Sequence, residues 1–372
     1  MKIGIDTFGC NHARSGFGAY ILYFISNIPE SCQDEIELFG AEVDRYTYTS
    51  EKEIGFASVQ LQDNLKKERK WHKRKINKFV KKNGYDVVLY PASNKVIPPK
   101  FKNHLGIIIV NSLISNDIKN EKRSYVRQLK KGFKNCHKII AATQYIKDDL
   151  IKLGADKDDI IVIHNGIDHK LFFPMIEFSS SDFVDVSPFS IKRPYFIYSS
   201  SLSSPDKKHI ELIKAFEQFK RNTGAPHRLV LAGADGEYAK EIHKAAFESE
   251  YASDIFLTGF FEYDNIGKLY AGSEAYILPS VNEGVGLPLL EAMACGVPVL
   301  CSDKGALKEV GGTSALYFDS DNISDIADNM EKVIDDKDLK EKMVFDGLAW
   351  ANEFNWETTV EKTLKFIQEN KV

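Results

Sequence analysis

The feature that most constrains the fold is an alternation of short apolar runs with amphipathic segments. From Tyr195 onward, β-branched runs such as YFIYSS, RLVLAG and EAYILPS alternate with segments such as IELIKAFEQF and PLLEAMA, whose apolar residues recur every three or four positions. The first kind predicts buried strands and the second predicts helices, and their alternation is typical of a parallel sheet covered by helices. The same rhythm in MKIGID, EIELFG, DVVLYP, GIIIVNS and KIIAAT predicts an earlier α/β unit.

The chain is long enough for two such units, because 372 residues exceed what one core usually holds. The segment FFPMIEFSSSDFVDVSPFSIKR, residues 172–193, has serine and proline punctuation and no clean periodicity, so it predicts a connection. We therefore expect a first domain over residues 1–171 and a second over residues 194–352. The helical pattern of residues 353–372 is expected to cross back to the first domain.

Composition narrows the class of protein. With 43% hydrophobic and 27% charged residues, the chain has the balance of a soluble globular protein. It has no apolar run near the roughly 18 residues that span a bilayer and does not start like a signal peptide, so we expect a cytoplasmic location. A net charge of -4 argues against general nucleic-acid binding, which needs a basic excess.

The cysteines argue against a zinc site. The chain has five, an odd number without paired CxxC spacing, namely Cys10, Cys32, Cys136, Cys295 and Cys301. Such scattered residues predict reduced, buried thiols.

The most informative stretch is AYILPSVNEGVGLPLLEAMACGVPVLCSD. A buried strand over residues 275–279 runs into a glycine-containing loop, after which a helix is predicted to begin near Pro288 and to stop at Gly296. The N-terminus of this helix should lie at the carboxyl end of the strand, where open α/β sheets bind ligands.

This loop has the chemistry of an anion site. Main-chain N–H groups at a helix N-terminus suit a diphosphate, and Gly284 and Gly286 let a ligand approach the backbone closely. Glu283 lies in the loop and Glu291 about a turn inside the helix, so the two carboxylates can reach different hydroxyl-bearing parts of one ligand. A nucleotide sugar has such parts on the two sides of its diphosphate.

The same stretch resembles the signature of the retaining glycosyltransferases of family 4. The Glu283-x7-Glu291 spacing within EGVGLPLLEAMACGVPVL carries the resemblance, together with SGFGAY at residues 15–20 and HNGID at residues 164–168. The resemblance covers nearly the whole chain. It implies the GT-B architecture, in which two Rossmann-like domains face each other across a deep cleft.

The resemblance also implies a role for each candidate residue. Glu291 would bind the ribose hydroxyls, and Glu283 would hold the transferred sugar. The other implied donor contacts are the phosphate-binding backbone of Gly284, Val285, Gly286 and Leu287, a cation from Lys207 or Lys208, the close approach of Gly16, and a hydrogen bond to the sugar from Asn111, where many members have histidine. Since a fixed cation stabilises the leaving diphosphate, no metal or other cofactor is expected.

The implied function is transfer of a sugar from a nucleoside-diphosphate sugar to a hydroxyl of a lipid-linked or glycan acceptor, in lipopolysaccharide, O-antigen or other surface glycan synthesis. Two alternatives stay open. One is a nucleotide-sugar 2-epimerase of related architecture, which would form product without an acceptor. The other is a non-catalytic partner of another transferase, which Asn111 motivates together with Ser201 and Leu202, where the family commonly shows Gly-Arg.

A basic segment lies outside these motifs. KKERKWHKRKINKFVKK, residues 66–82, has ten lysines and arginines against one glutamate. With Trp71 and Phe79 among them, these residues predict either peripheral contact with the anionic inner face of the cytoplasmic membrane or a solvated, lysine-rich helix.

Overall fold

A computed structural model describes residues 1–175, 182–260 and 262–370. The chain forms two compact units. Unit 1 contains Met1–Gly166 and the chain from Trp356 onward, and unit 2 contains Ile167–Asn355.

The described part of unit 1 is built on a parallel sheet of seven strands in the order β3-β2-β1-β4-β5-β6-β7. β4 and β5 are buried along their whole length, which explains why their sequences are continuously apolar rather than alternating. The strands are β1 (Lys2–Asp6), β2 (Glu35–Gly40), β3 (Gly55–Ser58), β4 (Val87–Tyr90), β5 (Leu105–Val110), β6 (Lys138–Ala141) and β7 (Ile160–Val162).

Several helices of unit 1 begin where the sequence supplies a polar cap. The hydroxyl of Ser15 accepts a hydrogen bond from the Gly18 amide at the start of the first helix, and Thr143 does the same for the Ile146 amide at the seventh. The helices are α1 (Gly16–Ser26), α2 (Asp44–Thr47), α3 (Leu65–Arg74), α4 (Ile76–Asn83), α5 (Ile114–Asp117), α6 (Arg123–Asn135) and α7 (Gln144–Lys152).

Unit 2 has a second parallel sheet and a separate hairpin. Its six described sheet strands have the order β12-β11-β10-β13-β14-β15. The hairpin consists of β8 (Phe183–Val186) and β9 (Phe189–Lys192), and the sheet strands are β10 (Tyr195–Ser199), β11 (Arg228–Ala232), β12 (Ile255–Gly259), β13 (Ala275–Leu278), β14 (Val299–Ser302) and β15 (Leu316–Phe318).

The helices of unit 2 cover this sheet and often end at a glycine. Gly224 follows the first of them with φ +63, a left-handed conformation that glycine adopts without strain. The helices are α8 (His209–Thr223), α9 (Ala239–Glu248), α10 (Ile266–Ala271), α11 (Leu287–Ala294), α12 (Leu307–Gly311), α13 (Ile323–Asp335) and α14 (Lys337–Asn352).

The hairpin lies within the segment that was predicted to be a connection. Val184, Val186 and Ile191 are buried at alternating positions of its two antiparallel strands. Four-residue strands separated by Ser-Pro are too short to give a clear periodicity, so the sequence pattern did not reveal them. Residues 176–181 of the predicted connection lie outside the described residues.

The last helix, α15 (Trp356–Glu369), belongs to unit 1. The Trp356 ring stacks on Tyr23 with 5.0 Å between ring centroids, and the Thr359 hydroxyl donates to the His164 carbonyl at 2.8 Å. The chain therefore leaves unit 1 after Gly166 and returns to it for its final helix.

The expected α/β class with two Rossmann-like sheets is confirmed. All five cysteines are free thiols, of which four are buried and Cys32 is half-buried. Across the described ranges, no helix combines the length and the apolar character needed to cross a membrane.

Candidate functional site

The candidate site in unit 2 lies where the order of the strands reverses. β10 and β13 are neighbours there, although β11 and β12 separate them in the chain. Ligands of open parallel sheets bind outside the carboxyl ends of such strands. The loops that follow β10 and β13 are tied together, because the Val281 amide donates to the Asp206 carbonyl at 3.0 Å.

These loops bring together two of the predicted residues. The Lys207 ammonium forms a hydrogen-bonded ion pair with Glu283 Oε1. The exposed fractions of the two side chains are 27% for Lys207 and 18% for Glu283, so both are partly shielded yet within reach of solvent. The site therefore places an ammonium group directly beside a carboxylate.

Lys208 has different partners. Its Nζ donates to Asp321 Oδ1 at 2.7 Å and to Glu211 Oε1 at 3.0 Å, and the hydrogen bond to Asp321 raises the pKa of Lys208. Lys208 also has a left-handed backbone, with φ +57, at the position just before α8. With this change of backbone direction, the two adjacent lysines have different partners, a difference that the sequence did not indicate.

The loop after β13 leads into α11 as predicted. Gly286 precedes the helix with φ +71, a conformation that residues with a side chain rarely adopt. No side chain caps α11 and its first turn carries no acid, so the positive end of its dipole is not neutralised by the helix itself. Gly284, Val285 and Leu287 are half-buried beside it.

A third loop holds the Glu283 backbone in place. The Ala306 amide donates to the Glu283 carbonyl at 3.0 Å. A Cβ at Gly305 would lie only 2.7 Å from the same oxygen, so only glycine allows this close approach. The loop after β14 therefore fixes the main chain on which the predicted sugar contact depends.

Glu291 lies inside α11 and is 6% exposed. Its Oε1 accepts a hydrogen bond from the Tyr263 hydroxyl at 3.0 Å. Burial raises the pKa of Glu291 to about 7, against the opposing effect of the hydrogen bonds from Tyr263 and Tyr270. The sequence did not indicate Tyr263, because nothing in a local pattern marks a residue 28 positions away from its partner.

Unit 1 contains the two remaining predicted residues. Gly16 is the first residue of α1, and a Cβ there would meet no described atom within 4 Å. Asn111 directly follows β5, and its Nδ2 is buried without a hydrogen-bond partner among the described residues. A buried amide donor without a partner is costly unless a ligand or water satisfies it, so this atom is available to a ligand.

A charged network at the end of β1 was missed by the sequence analysis. His72 is fully buried, and its Nε2 lies 2.6 Å from Asp6 Oδ2. Burial alone would lower the pKa of His72, but the Asp6 carboxylate raises it and the net shift is upward. His72 lies within the basic segment and was therefore interpreted as part of a charge run, although its four-residue spacing from Glu68 places it on the buried face of α3.

A second pair holds the loop before α1. Asn11, His12 and Ala13 all have positive φ, at 52, 51 and 65. His12 Nδ1 lies 2.6 Å from Asp44 Oδ1, and this hydrogen bond raises the pKa of His12. Backbone strain of this kind persists only where surrounding contacts hold it.

Three of the four apolar side chains of the basic segment lie in the core, and the fourth, Phe79, is half-buried. Trp71 is 7% exposed, and Ile76 and Val80 are fully buried in the core of unit 1. These residues are therefore not available as membrane anchors in this structure, whereas the lysines of α3 and α4 are exposed. In the part of the chain that the structure describes, no group of three histidine, cysteine or acidic side chains is placed to hold a metal ion.

Two family models match the chain. The model for glycosyl transferases of group 1 matches residues 181–348, and the model for glycosyltransferase family 4 matches residues 40–171.

Two proteins of similar sequence are mannosyltransferases of the O-antigen chain. The O-antigen chain mannosyltransferase B of Escherichia coli is 30% identical over 170 residues, which cover 46% of this chain and 44% of that protein. An O-antigen chain mannosyltransferase of Salmonella typhimurium is 26% identical over 195 residues, covering 52% and 50%. The chain thus matches about half the length of these two relatives.

The fold is also found in solved structures. The structure of Anabaena HepE in complex with UDP covers 99% of this chain and 99% of its own, with a TM-score of 0.76 and 17% sequence identity. This likeness shows the fold.

Proposed function

Because the chain belongs to the glycosyltransferases, with a family 4 domain followed by a group 1 domain, we propose that it transfers a sugar from a nucleoside-diphosphate sugar to a hydroxyl acceptor. The observation that carries the proposal is the pairing of Lys207 with Glu283 beside the N-terminus of α11. This places a cation, a carboxylate and a helix dipole within one pair of loops of unit 2.

Each group suits a different part of the donor. The Lys207 ammonium and the amides from Gly284 to Leu287 would bind the diphosphate, whose negative charge grows as the bond to the sugar breaks. Glu283 would accept hydrogen bonds from the sugar hydroxyls. Glu291 would accept them from the ribose, since an ionised carboxylate is an acceptor at both oxygens.

The reaction proposed is retaining and needs no metal. The bond from the anomeric carbon to the phosphate oxygen breaks, and a bond from that carbon to the acceptor oxygen forms on the same face of the sugar. The acceptor proton passes to the departing phosphate oxygen. Lys207 stabilises the leaving diphosphate.

Unit 1 would contribute Gly16 and Asn111 to donor binding. The unpartnered Nδ2 of Asn111 supports this assignment, because the amide can donate to a sugar oxygen but cannot act as an acid or base. Lys208 is assigned a structural role, since it pairs with two carboxylates, Asp321 and Glu211, that lie outside the loops after β10 and β13.

For the acceptor we propose a lipid-linked or glycan hydroxyl of a bacterial surface polysaccharide. The support is the similarity to two proteins described as O-antigen mannosyltransferases. The site of action would be the cytoplasm or the inner face of the cytoplasmic membrane.

The deciding experiment incubates the protein with UDP-, GDP- and ADP-sugars, including mannose donors, with and without glycan acceptors. Transfer that depends on an acceptor and gives a product with the anomeric configuration of the donor, measured by NMR, is the expected result. Isomerised donor without acceptor would indicate the 2-epimerase instead. Tight donor binding with no product from any acceptor would indicate a non-catalytic partner.

A further inference from the structure

Unit 1 has a basic pocket that none of the predicted donor contacts uses. Its volume is about 600 Å³, within the range of about 300–1,000 Å³ that small-ligand sites occupy. It lies between the end of α3, the start of α4, the segment of residues 98–102 and α6. The basic side chains that line it are Lys73, Lys100, Lys102, Arg127 and Lys131.

The pocket carries charge of one sign. No aspartate or glutamate lines it. Among the described residues, no carboxylate forms an ion pair with any of these five side chains, although many other lysines of the chain are paired. Five unpaired cations around one cavity repel one another, and an anion that binds between them removes this repulsion.

The segment that supplies two of the cations is held firmly. Asn77 Nδ2 donates to the Lys100 carbonyl at 3.1 Å, and Asn77 Oδ1 accepts from the Lys102 amide at 2.8 Å. From α6, Gln128 Nε2 donates to the Ile97 carbonyl at 2.9 Å and Asn135 Nδ2 to the Pro99 carbonyl at 2.9 Å. Three amide side chains thus fix the path of this segment over the pocket.

The walls of the pocket are also joined to each other. The Arg69 guanidinium of α3 lies 3.4 Å above the centre of the Tyr125 ring of α6 and pairs with Glu121 at 2.6 Å. Because the cations stand on elements that are already fixed, an anion would bind without ordering the protein first.

The direction of α6 favours the same kind of ligand. Ser124, Arg127 and Lys131 follow the spacing of one helix face, with Ser124 in the first turn. Lys122 precedes the helix without a side-chain cap, and the first turn of α6 carries no acidic residue.

We propose that this pocket is a second anion site of the chain and that it binds a phosphoryl group, either of a lipid headgroup or of a soluble phosphorylated ligand. Arg127 is suited to a two-pronged contact with phosphate oxygens, and the four lysines act as point charges around it. None of the predicted donor contacts lines this pocket, neither those in the loops of unit 2 nor Gly16 and Asn111 of unit 1.

The test compares two double variants of the full chain. Arg127→Ala/Lys131→Ala removes two cations of the pocket, and Lys130→Ala/Lys134→Ala removes two exposed cations of the same helix that do not line it. Both lose the same net charge. A third variant, Lys100→Ala/Lys102→Ala, removes two pocket cations from a different element.

Two probes distinguish the source of the phosphate. Inorganic pyrophosphate is titrated by calorimetry, and flotation measures binding to phosphatidylcholine vesicles with and without phosphatidic acid. We expect both pocket variants to bind at least one probe about tenfold more weakly than the control variant, which corresponds to about 1.4 kcal/mol. Binding should weaken further as salt is raised.

A loss confined to the vesicles would assign the pocket to a lipid headgroup, and a loss confined to pyrophosphate would assign it to a soluble ligand. If the pocket variants and the control variant bind both probes equally, the proposal is overturned. Binding would then depend on the net charge of the protein and not on the position of these cations. The affinity for the nucleotide sugar serves as a separate readout, which the pocket variants should leave unchanged.

Discussion

Lys207 and Glu283 form an ion pair although 76 positions separate them in the chain. They meet because the strands before their loops, β10 and β13, are neighbours at the reversal of strand order in unit 2. In the absence of a ligand each neutralises the other. We propose that the donor diphosphate replaces Glu283 as the partner of Lys207, which releases the carboxylate for the sugar.

The two adjacent lysines give a matched test of this role. Lys207→Ala should lower kcat by about 10²–10³-fold, the loss seen when one fixed group that stabilises the transition state is removed. Lys208→Ala removes ion pairs with Asp321 and Glu211 and should change the free energy of unfolding by about 1 kcal/mol or less, with little effect on turnover. Equal losses of activity in the two variants would contradict the assignment.

Glu291 should make the stability of the protein fall as pH rises. Its pKa is about 7 in the native protein and 4.5 ordinarily, so between these values the unfolded chain has lost a proton that the native protein retains. Glu291→Gln lacks this effect and should be more stable than the wild type at pH 8, by up to about 3 kcal/mol. Urea unfolding at pH 4 and pH 8 measures the difference, which should nearly vanish at pH 4.

The same carboxyl should control donor binding. Because the ionised form accepts hydrogen bonds from the ribose, the affinity of the wild type should rise as pH rises through about 7. Glu291→Gln should bind the donor weakly at every pH. Wild type and variant with parallel pH profiles would show that Glu291 does not touch the ligand.

The sequence predicted what depends on local pattern. The alternation of strands and helices, the start of α11 near Pro288 and its end before Gly296 follow from periodicity and punctuation that lie within a few residues of each other. The distinction between Lys207 and Lys208 was not accessible, since it depends on one left-handed backbone angle.

Pairs between distant parts of the chain were also missed. Tyr263 meets Glu291, and His72 meets Asp6 across 66 positions. Such contacts depend on strand order and helix facing, which a single sequence does not specify. The burial of Trp71 within the basic segment was not indicated by the sequence for the same reason.

Asn111 offers a test that separates function from stability. Its Nδ2 has no partner among the described residues, so Asn111→Ala should change the free energy of unfolding by less than about 1 kcal/mol while it reduces sugar transfer. Asn94→Ala is the control. The Asn94 Nδ2 donates to Asp117 Oδ2 at 2.7 Å, and loss of this bond should cost about 1–3 kcal/mol.

The Asp6–His72 pair should stabilise unit 1. Asp6→Asn leaves a buried imidazole without its carboxylate and should cost about 3–5 kcal/mol, as when one partner of a buried ion pair is removed. Because Asp6 raises the pKa of His72, this contribution is complete below the ordinary histidine pKa and is lost as pH rises through the raised value. Unfolding curves should therefore show that Asp6→Asn lowers the free energy of unfolding more at pH 6 than at pH 9. A loss of stability that is the same at both pH values would count against a charged pair.

The most direct test of the central claim is calorimetric titration of UDP-, GDP- and ADP-sugars into the wild type, Lys207→Ala and Glu291→Gln. We expect one nucleotide class to bind the wild type, with affinity reduced at least about tenfold in both variants, or about 1.4 kcal/mol each. If no nucleotide sugar binds the wild type, or if both variants bind as well as it does, then the loops after β10 and β13 are not a donor site and the proposed function is wrong.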